Sequence, residues 1–484
     1  MSMMVNSFVA APVSSDPSST QWRLYMPDTF NSAASTVLRE VEMLSSADGT
    51  DLCNGGTASA SSNGAGGTTP DKAFNNVIGT ADSDAWSTNV STTGSAAWLQ
   101  YTFAAAVTIR AIRLAPYNWD AFPTEIQVQY YNGSIWVTWW TVYPATGDVH
   151  TYQWLAFSLA DTLFTSLPSI SGSYASTGDV ANVSYSASSG TPTYQWYRDG
   201  VAISGATGSS YTRTDSDPIL LTCEVTLNRD GFNIGGAKAM VLAPNGGAFV
   251  GRAYDFTQVA LLAQNSDGTG AITADGDPVG LVRDIGCRRG GTEGRNLAQY
   301  ASTTRRPLYR NTSGIKSIEF DGSNDYLQMP SLRSYAAGGH VVYSMKLDND
   351  PPTVSNGGAP IGQTGSSTAS DHHPYIDGNI YQGFMSTVRR NTGNPSTSMA
   401  SWHYEDMWSF TNDWGLALNG TNHYTTATNT VAKADTPFVG SHIRDQGAEI
   451  NFLDGRIGRM LLSESKLTGN ALSSARAWVE KSYT

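Results

Sequence analysis

The segment from Trp98 to Trp140 constrains the fold of this chain most strongly, because its apolar and polar residues alternate. The alternation runs through VTIRAIRL with one phase slip at Ala111, and it resumes in EIQVQYY. A Tyr-Asn-Gly-Ser turn then leads into a Trp-rich strand, where a period of two places Trp136 and Trp140 on one face and Trp139 on the other. Such alternation, bounded by Pro, Asn and Gly, predicts half-buried antiparallel strands.

A loop between two of these strands, residues 116–123, carries Tyr117, Trp119 and Phe122. Sugars are the usual partners of rings exposed on a β-sandwich loop, because their C–H faces stack on flat aromatic surfaces. We therefore take these three residues as candidate carbohydrate-binding residues. Packing of the rings under the loop is the alternative.

The same region resembles the discoidin-type module, also called the coagulation-factor type C module. The resemblance lies in AASTVLREVEMLSSADGTDL, in DKAFNNVIGTADSDAWST and in the hairpin FPTEIQVQYYNGSIWVTW, and it covers roughly residues 21–159. Asn132-Gly133 replaces the family's Asp-Gly turn, and no cysteine pair brackets the module. The resemblance implies a jelly-roll sandwich and a structural Ca²⁺ held by oxygen donors of one loop, namely Asn75, Asn76, Thr80, Asp82 and Asp84. A solvated loop without calcium is the alternative.

A second unit begins near Pro168 and resembles an immunoglobulin-like domain. YQWYRDG places Trp196 where such domains carry the core Trp of strand C, and ILLTCEV places Cys223 at the second Cys position of strand F. The position of the first Cys falls near Val183 or Tyr185, so no disulfide is expected. The resemblance implies a spacer domain, with Cys223 as a small buried hydrophobe.

The remainder of the chain resembles a laminin-G-like or concanavalin-like jelly roll. The resemblance rests on IEFDGSNDYLQMP, on WGLALNG and on FLDGRIGRMLLSESKL, and a helix is predicted at the C-terminus. Together these patterns predict an all-β fold of three tandem β-sandwich domains. The expected ranges are a tail and candidate anchor at 1–20, a discoidin-like module at 21–165, an immunoglobulin-like spacer at 166–246 and the jelly roll at 247–484.

Composition agrees with this fold class and limits the partners. The chain has 48 Gly, 13 Trp, 23 Tyr and only 14% charged residues, a profile of sandwich proteins. Its net charge of −12 argues against nucleic acid as a partner. No stretch approaches ~20 apolar residues, so no membrane insertion is expected. Three cysteines, without an export signal in the first residues, predict folding in a reducing cytosol.

Enzyme signatures are sparse in this sequence. The catalytic strand pattern Glu-x-Asp-x-x-Glu of concanavalin-like glycosidases begins at Glu319 and Asp321, but Asn324 occupies the position of the second Glu. We therefore expect no catalytic residues, and we interpret DGSND as a hairpin turn. Adjacent His372 and His373 would point to opposite sides of a strand and so cannot easily share a metal. Because histidine near tyrosine on an exposed loop favours an interaction surface, we take His372, His373 and Tyr375 as a second candidate carbohydrate-binding group. Ordinary polar filling of the loop is the alternative.

These observations predict a non-catalytic adhesion or fibre protein of a bacteriophage virion, folded in the host cytoplasm and released by lysis. Its expected partners are host-surface polysaccharide and other virion proteins. Two sugar-binding modules on one chain would add avidity, more so in a homotrimer, although no heptad repeat indicates one. The alternatives are an architectural head or tail decoration protein, a glycan-degrading enzyme with the jelly roll as catalyst, and a bacterial cell-surface adhesin.

Overall fold

A computed structural model of the chain describes residues 16–30, 35–64, 68–78, 82–88, 96–117, 121–144, 154–285, 296–299, 303–330, 332, 335, 337–350, 358–362, 371–432, 437–444 and 448–484. The architecture is all-β, as predicted, with antiparallel pairing in its principal sheets. No helix in the described part of the chain has the length and apolar character that crossing a bilayer requires.

The first group of strands forms two sheets that enclose one core. The five-stranded sheet has the order β3-β5-β1-β7-β8, and the four-stranded sheet has the order β4-β2-β6-β9. Trp22, Leu24 and Met26 alternate along the first strand and point into the core, as period-two patterning requires. The bounds are β1 (Ser19–Met26), β2 (Val37–Leu44), β3 (Thr57–Ala60), β4 (Trp86–Ser87), β5 (Ala97–Val107), β6 (Ala111–Pro116), β7 (Ile126–Tyr131), β8 (Trp136–Val142) and β9 (Leu155–Ser158).

The second group is a smaller sandwich with sheet orders β10-β11-β14 and β13-β12-β15-β16-β17. Trp196 pairs in register with Cys223, and both side chains are fully buried in the core of this sandwich, as predicted. The bounds are α1 (Ala160–Leu163), β10 (Phe164–Gly172), β11 (Val180–Ala187), β12 (Thr191–Arg198), β13 (Val201–Ala202), β14 (Ser210–Thr212), β15 (Ile219–Arg229), β16 (Phe232–Ala243) and β17 (Gly247–Ala248).

The third group contains an eight-stranded sheet, β22-β23-β35-β25-β29-β30-β31 with β18 beside β35, and a six-stranded sheet, β19-β20-β21-β24-β32-β26. Two hairpins, β27-β28 and β33-β34, lie outside these sheets. The bounds are β18 (Gly251–Asp255), β19 (Leu262–Ala263), β20 (Leu281–Val282), β21 (Leu297–Ala298), β22 (Leu308–Thr312), β23 (Ile315–Asp321), β24 (Leu327–Gln328), β25 (Gly338–Leu347), β26 (Ile361–Gly362), β27 (Ile380–Gln382), β28 (Arg390–Gly393), β29 (His403–Phe410), β30 (Asp413–Leu418), β31 (Thr421–Thr426), β32 (Phe438–Val439), β33 (His442–Arg444), β34 (Ala448–Ile450), β35 (Asp454–Ser463) and the predicted helix, α2 (Gly469–Glu480).

The second and third groups are joined by a buried junction. Leu220 and Met240 of the second group pack in one apolar cluster with Trp478 of α2. Asp199, almost fully buried in the turn after β12, accepts hydrogen bonds from the Trp478 indole N–H at 2.7 Å and from the Leu220 amide at 2.8 Å. The Arg459 guanidinium lies 3.5 Å from the same carboxylate. The second group is therefore seated on the third group through shared apolar and polar contacts.

Candidate functional site

The loop at residues 116–123 was expected to expose three aromatic rings. Two of these rings are described by the structure, and one of the two is buried. Phe122 has no exposed surface and belongs to the core of the first group, so its assignment as a surface contact was wrong. The reason is that the ring fills space between the two sheets, where burial of an aromatic side chain stabilises the sandwich. Tyr117 is half-buried beneath the Arg39 guanidinium, 4.7 Å from its ring centroid. Trp119 lies outside the described residues.

In the loop expected to bind calcium, the structure describes the side chains of Asn75, Asn76 and Asp84. Asn75 uses its side-chain oxygen to accept the backbone N–H of Val77 at 2.9 Å, and Asn76 adopts a positive φ of 59°. Asp84 is half-exposed, while Thr80 and the side chain of Asp82 lie outside the described residues. Within the described ranges, no group of three or more His, Cys, Asp or Glu side chains could hold a metal ion.

Glu40 is a carboxyl group beside this loop that sequence reasoning did not find. It is fully buried, and its two oxygens accept the backbone N–H groups of Val41 at 3.2 Å and Val77 at 3.1 Å. Burial raises the pKa of Glu40 to about 8. Ca²⁺ takes six to eight oxygen ligands from side chains and backbone, and the structural calcium ion stays an untested prediction.

The histidine loop gives a clearer result, because it brings together three rings at the surface. His372 and Tyr381 exchange backbone hydrogen bonds of 2.8 Å in an isolated bridge, which fixes the loop against β27. The ring of Tyr375 lies 4.7 Å from that of His372 and 6.0 Å from that of Tyr381. All three side chains are half-exposed. We call His372, Tyr375 and Tyr381 the three-ring cluster.

Polar groups surround the three-ring cluster. The exposed Asp377 carboxylate accepts the Tyr381 hydroxyl at 2.8 Å and the backbone N–H of Asn379 at 2.8 Å. The Asn391 amide donates to the Tyr381 hydroxyl at 3.3 Å, and the Arg389 guanidinium lies 5.0 Å from the Tyr381 ring centroid. The hydrogen bond from the backbone N–H of Asn379 lowers the pKa of Asp377, and the hydrogen bond to Asp377 raises the pKa of Tyr381. The rings are thus held at a surface that carries carboxylate, amide and guanidinium groups.

His373 does not belong to this surface, so its assignment as a ligand contact was wrong. Its side chain is buried, and its Nε2 atom lies 2.6 Å from Glu405 Oε2. His403 Nε2 approaches the other oxygen of Glu405 at 2.8 Å, and the Tyr343 hydroxyl donates to Oε2 at 2.7 Å. His373 thereby ties the loop that carries its neighbour His372 to β25 and β29. We call His373, His403, Glu405 and Tyr343 the buried carboxylate cluster.

The protonation of the buried carboxylate cluster follows from its packing. Burial alone would raise the pKa of Glu405, but the attraction of His373 and the hydrogen bonds from both histidines outweigh burial and hold the pKa well below its usual range. Burial alone would lower the pKa of His403, but the hydrogen bond to Glu405 and its charge raise it. Burial and the neighbouring carboxylate raise the pKa of Tyr343. The cluster is a buried structural anchor for the loop.

The carboxylates that begin a glycosidase-like pattern are engaged elsewhere. Glu319 accepts hydrogen bonds from Arg310 at 2.5 Å and from Arg456 at 2.6 Å. Asp321 accepts the backbone N–H groups of Ser323 at 2.8 Å and Asn324 at 3.1 Å, the arrangement of the predicted hairpin turn. Both carboxylates thus hold local structure, one through ion pairs and the other through a turn.

No protein-family model matches the chain, and no curated protein matches it. Several solved structures are similar to it. Domain 4 of AbnA, a GH43 extracellular arabinanase from Geobacillus stearothermophilus in complex with arabinotriose, shares 14% identity over 35% of this chain and 81% of that one (TM-score 0.26). Trypanosoma rangeli sialidase in complex with 2,3-difluorosialic acid shares 10% identity over 77% and 68% (TM-score 0.32). The mouse laminin alpha1 chain, domains LG4-5, shares 12% identity over 94% and 85% (TM-score 0.25).

Proposed function

We propose that this protein is a non-catalytic adhesion component of a phage particle and that it binds host-surface carbohydrate. The three-ring cluster of the C-terminal jelly roll is the observation that carries the proposal. Two tyrosine rings and a histidine ring meet at a half-exposed surface. Apolar C–H faces of a sugar would stack on these rings, and sugar hydroxyl groups would meet polar atoms at their edges.

The polar groups beside the cluster suit hydroxyl recognition. Asp377 is an acceptor, and the hydrogen bonds from Tyr381 and the Asn379 side chain, 2.8 and 3.1 Å long, hold it in place. Asn391 can both donate and accept, and Arg389 donates only. A fixed array of acceptors and donors next to rings loses little side-chain entropy when a sugar binds, which supports useful affinity from a small site.

The absence of catalysis is part of the proposal, and two features of the described residues support it. Glu319 and Asp321 are held by arginines and by a turn, and Glu405 is closed off from solvent. A glycosidase needs two carboxyl groups that flank a bond in an accessible cleft. The phage origin rests on the sequence alone, although buried free thiols at Cys53 and Cys223 agree with folding in a reducing compartment.

The test uses the full-length chain on an array of bacterial surface polysaccharides and their oligosaccharides. We expect binding to at least one glycan, and we expect Tyr381→Ala to weaken it about ten-fold through loss of ring stacking and of the bond to Asp377. Tyr143→Ala, which removes a 68% exposed tyrosine of the first group, is the matched control and should bind as wild type does. Absence of binding to every glycan, together with retention on purified phage particles, would favour the architectural role instead.

A further inference from the structure

The outer face of the five-stranded sheet in the first group carries a second set of exposed rings. Tyr25 of β1 lies directly opposite Trp98 of β5 and opposite Gln127 of β7. Arg23 precedes Tyr25 by two residues on β1, so it lies on the same face, opposite Gln129 of β7. Tyr25, Trp98 and Arg23 are half-exposed, whereas the alternate residues of β1 are buried.

A β-bulge adds a third ring to this face. Val128 pairs with Trp140 and Gln129 pairs with Thr138, so Trp139 is the extra residue. The bulge shifts the phase of β8, so Trp140 points into the core while Trp136 lies on the outer face. The prediction that Trp136 and Trp140 share a face was therefore wrong.

These rings surround one guanidinium. The carbon at the centre of the Arg23 guanidinium lies 4.4 Å from the Trp136 ring centroid, 5.6 Å from that of Tyr25 and 6.0 Å from that of Trp98. Its Nε–H donates to Gln129 Oε1 at 2.7 Å, and the Gln129 amide in turn donates to Gln127 at 2.9 Å. The arginine is thereby held in one orientation, and no residue that the structure describes forms a hydrogen bond with its terminal amino groups.

Several half-buried arginines of this protein are paired with a carboxylate. Arg113 lies 3.0 Å from Glu42, Arg310 lies 2.5 Å from Glu319, and Arg198 pairs with Asp215. Among the residues that the structure describes, no carboxylate forms an ion pair with Arg23. Burial lowers the pKa of the Arg23 guanidinium. A half-desolvated guanidinium without an anion fits a ligand that brings a carboxylate.

Of the described residues, Glu125 is the carboxylate bonded to this row of amides. It accepts the Gln127 amide at 2.7 Å, at the opposite end of the row from Arg23. The rings of Trp98 and Trp136 approach the same guanidinium carbon to 6.0 and 4.4 Å, so their centroids are at most about 10 Å apart. That length matches a short oligosaccharide.

We infer that this outer face binds an acidic oligosaccharide, with a uronic-acid carboxylate on Arg23 and sugar rings on Tyr25, Trp98 and Trp136. The paired terminal N–H groups of arginine match the two oxygens of a carboxylate. Amide groups of Gln127 and Gln129 would meet hydroxyl groups along the chain. The site lies on a different domain from the three-ring cluster and extends the proposed function to a second ligand class.

The test titrates the full-length chain with a hexamer of galacturonic acid and with the fully methyl-esterified hexamer, which has the same rings without the charge. We expect binding of the acid that weakens as salt rises, and at least about ten-fold weaker binding of the ester. Arg23→Gln should weaken binding of the acid about ten-fold, and Arg23→Lys should weaken it less, because a point charge remains. Lys316→Gln, a charge-matched change at an exposed residue of the third group, should have no effect.

Two further variants separate this site from the proposed function. Trp136→Ala should weaken binding of the acidic hexamer, whereas Tyr381→Ala should leave it unchanged. Equal binding of acid and ester, or an Arg23→Gln variant that folds as wild type by circular dichroism and binds as tightly, would overturn the inference. If Tyr381→Ala abolishes binding on the glycan array and the wild-type chain does not bind the acidic hexamer, this inference is wrong and the proposed function stands.

Discussion

Replacement of Glu405 by Gln tests how the loop of the three-ring cluster is anchored. The carboxylate is fully buried and has three hydrogen-bond partners, which are His373 at 2.6 Å, Tyr343 at 2.7 Å and His403 at 2.8 Å. Glutamine has the same shape but removes the charge that raises the pKa of His403. Breaking a buried pair on one side costs about 3–5 kcal/mol. We expect a loss of that size in the free energy of unfolding.

The loss should depend on pH in a defined direction. The folded protein raises the pKa of His403, so this stabilisation is complete below the unfolded value of about 6.5 and fades as pH rises through the folded pKa. The folded protein lowers the pKa of Glu405, so its contribution is complete above the unfolded value of about 4.5 and fades at lower pH. The difference between wild type and Glu405→Gln should therefore be largest between about pH 4.5 and 6.5.

Urea unfolding of the full chain, followed by tryptophan fluorescence at several pH values, measures this difference. Glu464→Gln removes a half-exposed carboxylate elsewhere in the third group and should change stability by less than about 0.5 kcal/mol. If the free energy of unfolding of Glu405→Gln at pH 5.5 lies within about 1 kcal/mol of the wild-type value, the buried charges contribute little and the expected anchor role of Glu405 is wrong.

Three further predictions concern the cores and the junction. Phe122→Ala should lower the free energy of unfolding by about 3–5 kcal/mol in a denaturant titration, because the ring is fully buried. Asp199→Asn should cost about 1–3 kcal/mol, since it weakens the bond to Trp478, and calorimetry should show the transitions of the second and third groups moving apart. Burial raises the pKa of Cys53 and raises that of Cys223 to about 12, so mass spectrometry should find both unalkylated by iodoacetamide at pH 8 until urea is added.

Local patterning was sufficient to predict the fold class and several core residues. Alternation in the Trp98–Trp140 segment indicated strands, and the YQWYRDG stretch indicated a buried Trp196 next to Cys223. These predictions succeed because the side-chain period of a strand is a local property and because a long apolar face must be buried somewhere. The domain boundaries at 165 and 246 and the specific discoidin likeness stay predictions.

The site residues were harder to predict, because their environment comes from distant parts of the chain. His373 looked like a surface residue, but it is buried beside Glu405, which also accepts the Tyr343 hydroxyl. Glu405 and Tyr343 belong to strands that are far from His373 in the sequence. Tyr381 carried no motif and joins the three-ring cluster only through its bridge to His372. A bulge that no alternation reveals brought Trp136 to the outer face. Long-range pairing and register shifts are not encoded in local periodicity.

Non-catalytic glycan binding by the three-ring cluster is tested most directly by a calorimetric titration of the full-length chain with a glycan that it retains on the array, with the products analysed afterwards by mass spectrometry. We expect saturable binding, about ten-fold weaker binding by Tyr381→Ala than by Tyr143→Ala, and a glycan recovered intact. Equal binding by the two variants, or recovery of shortened glycan, would contradict it.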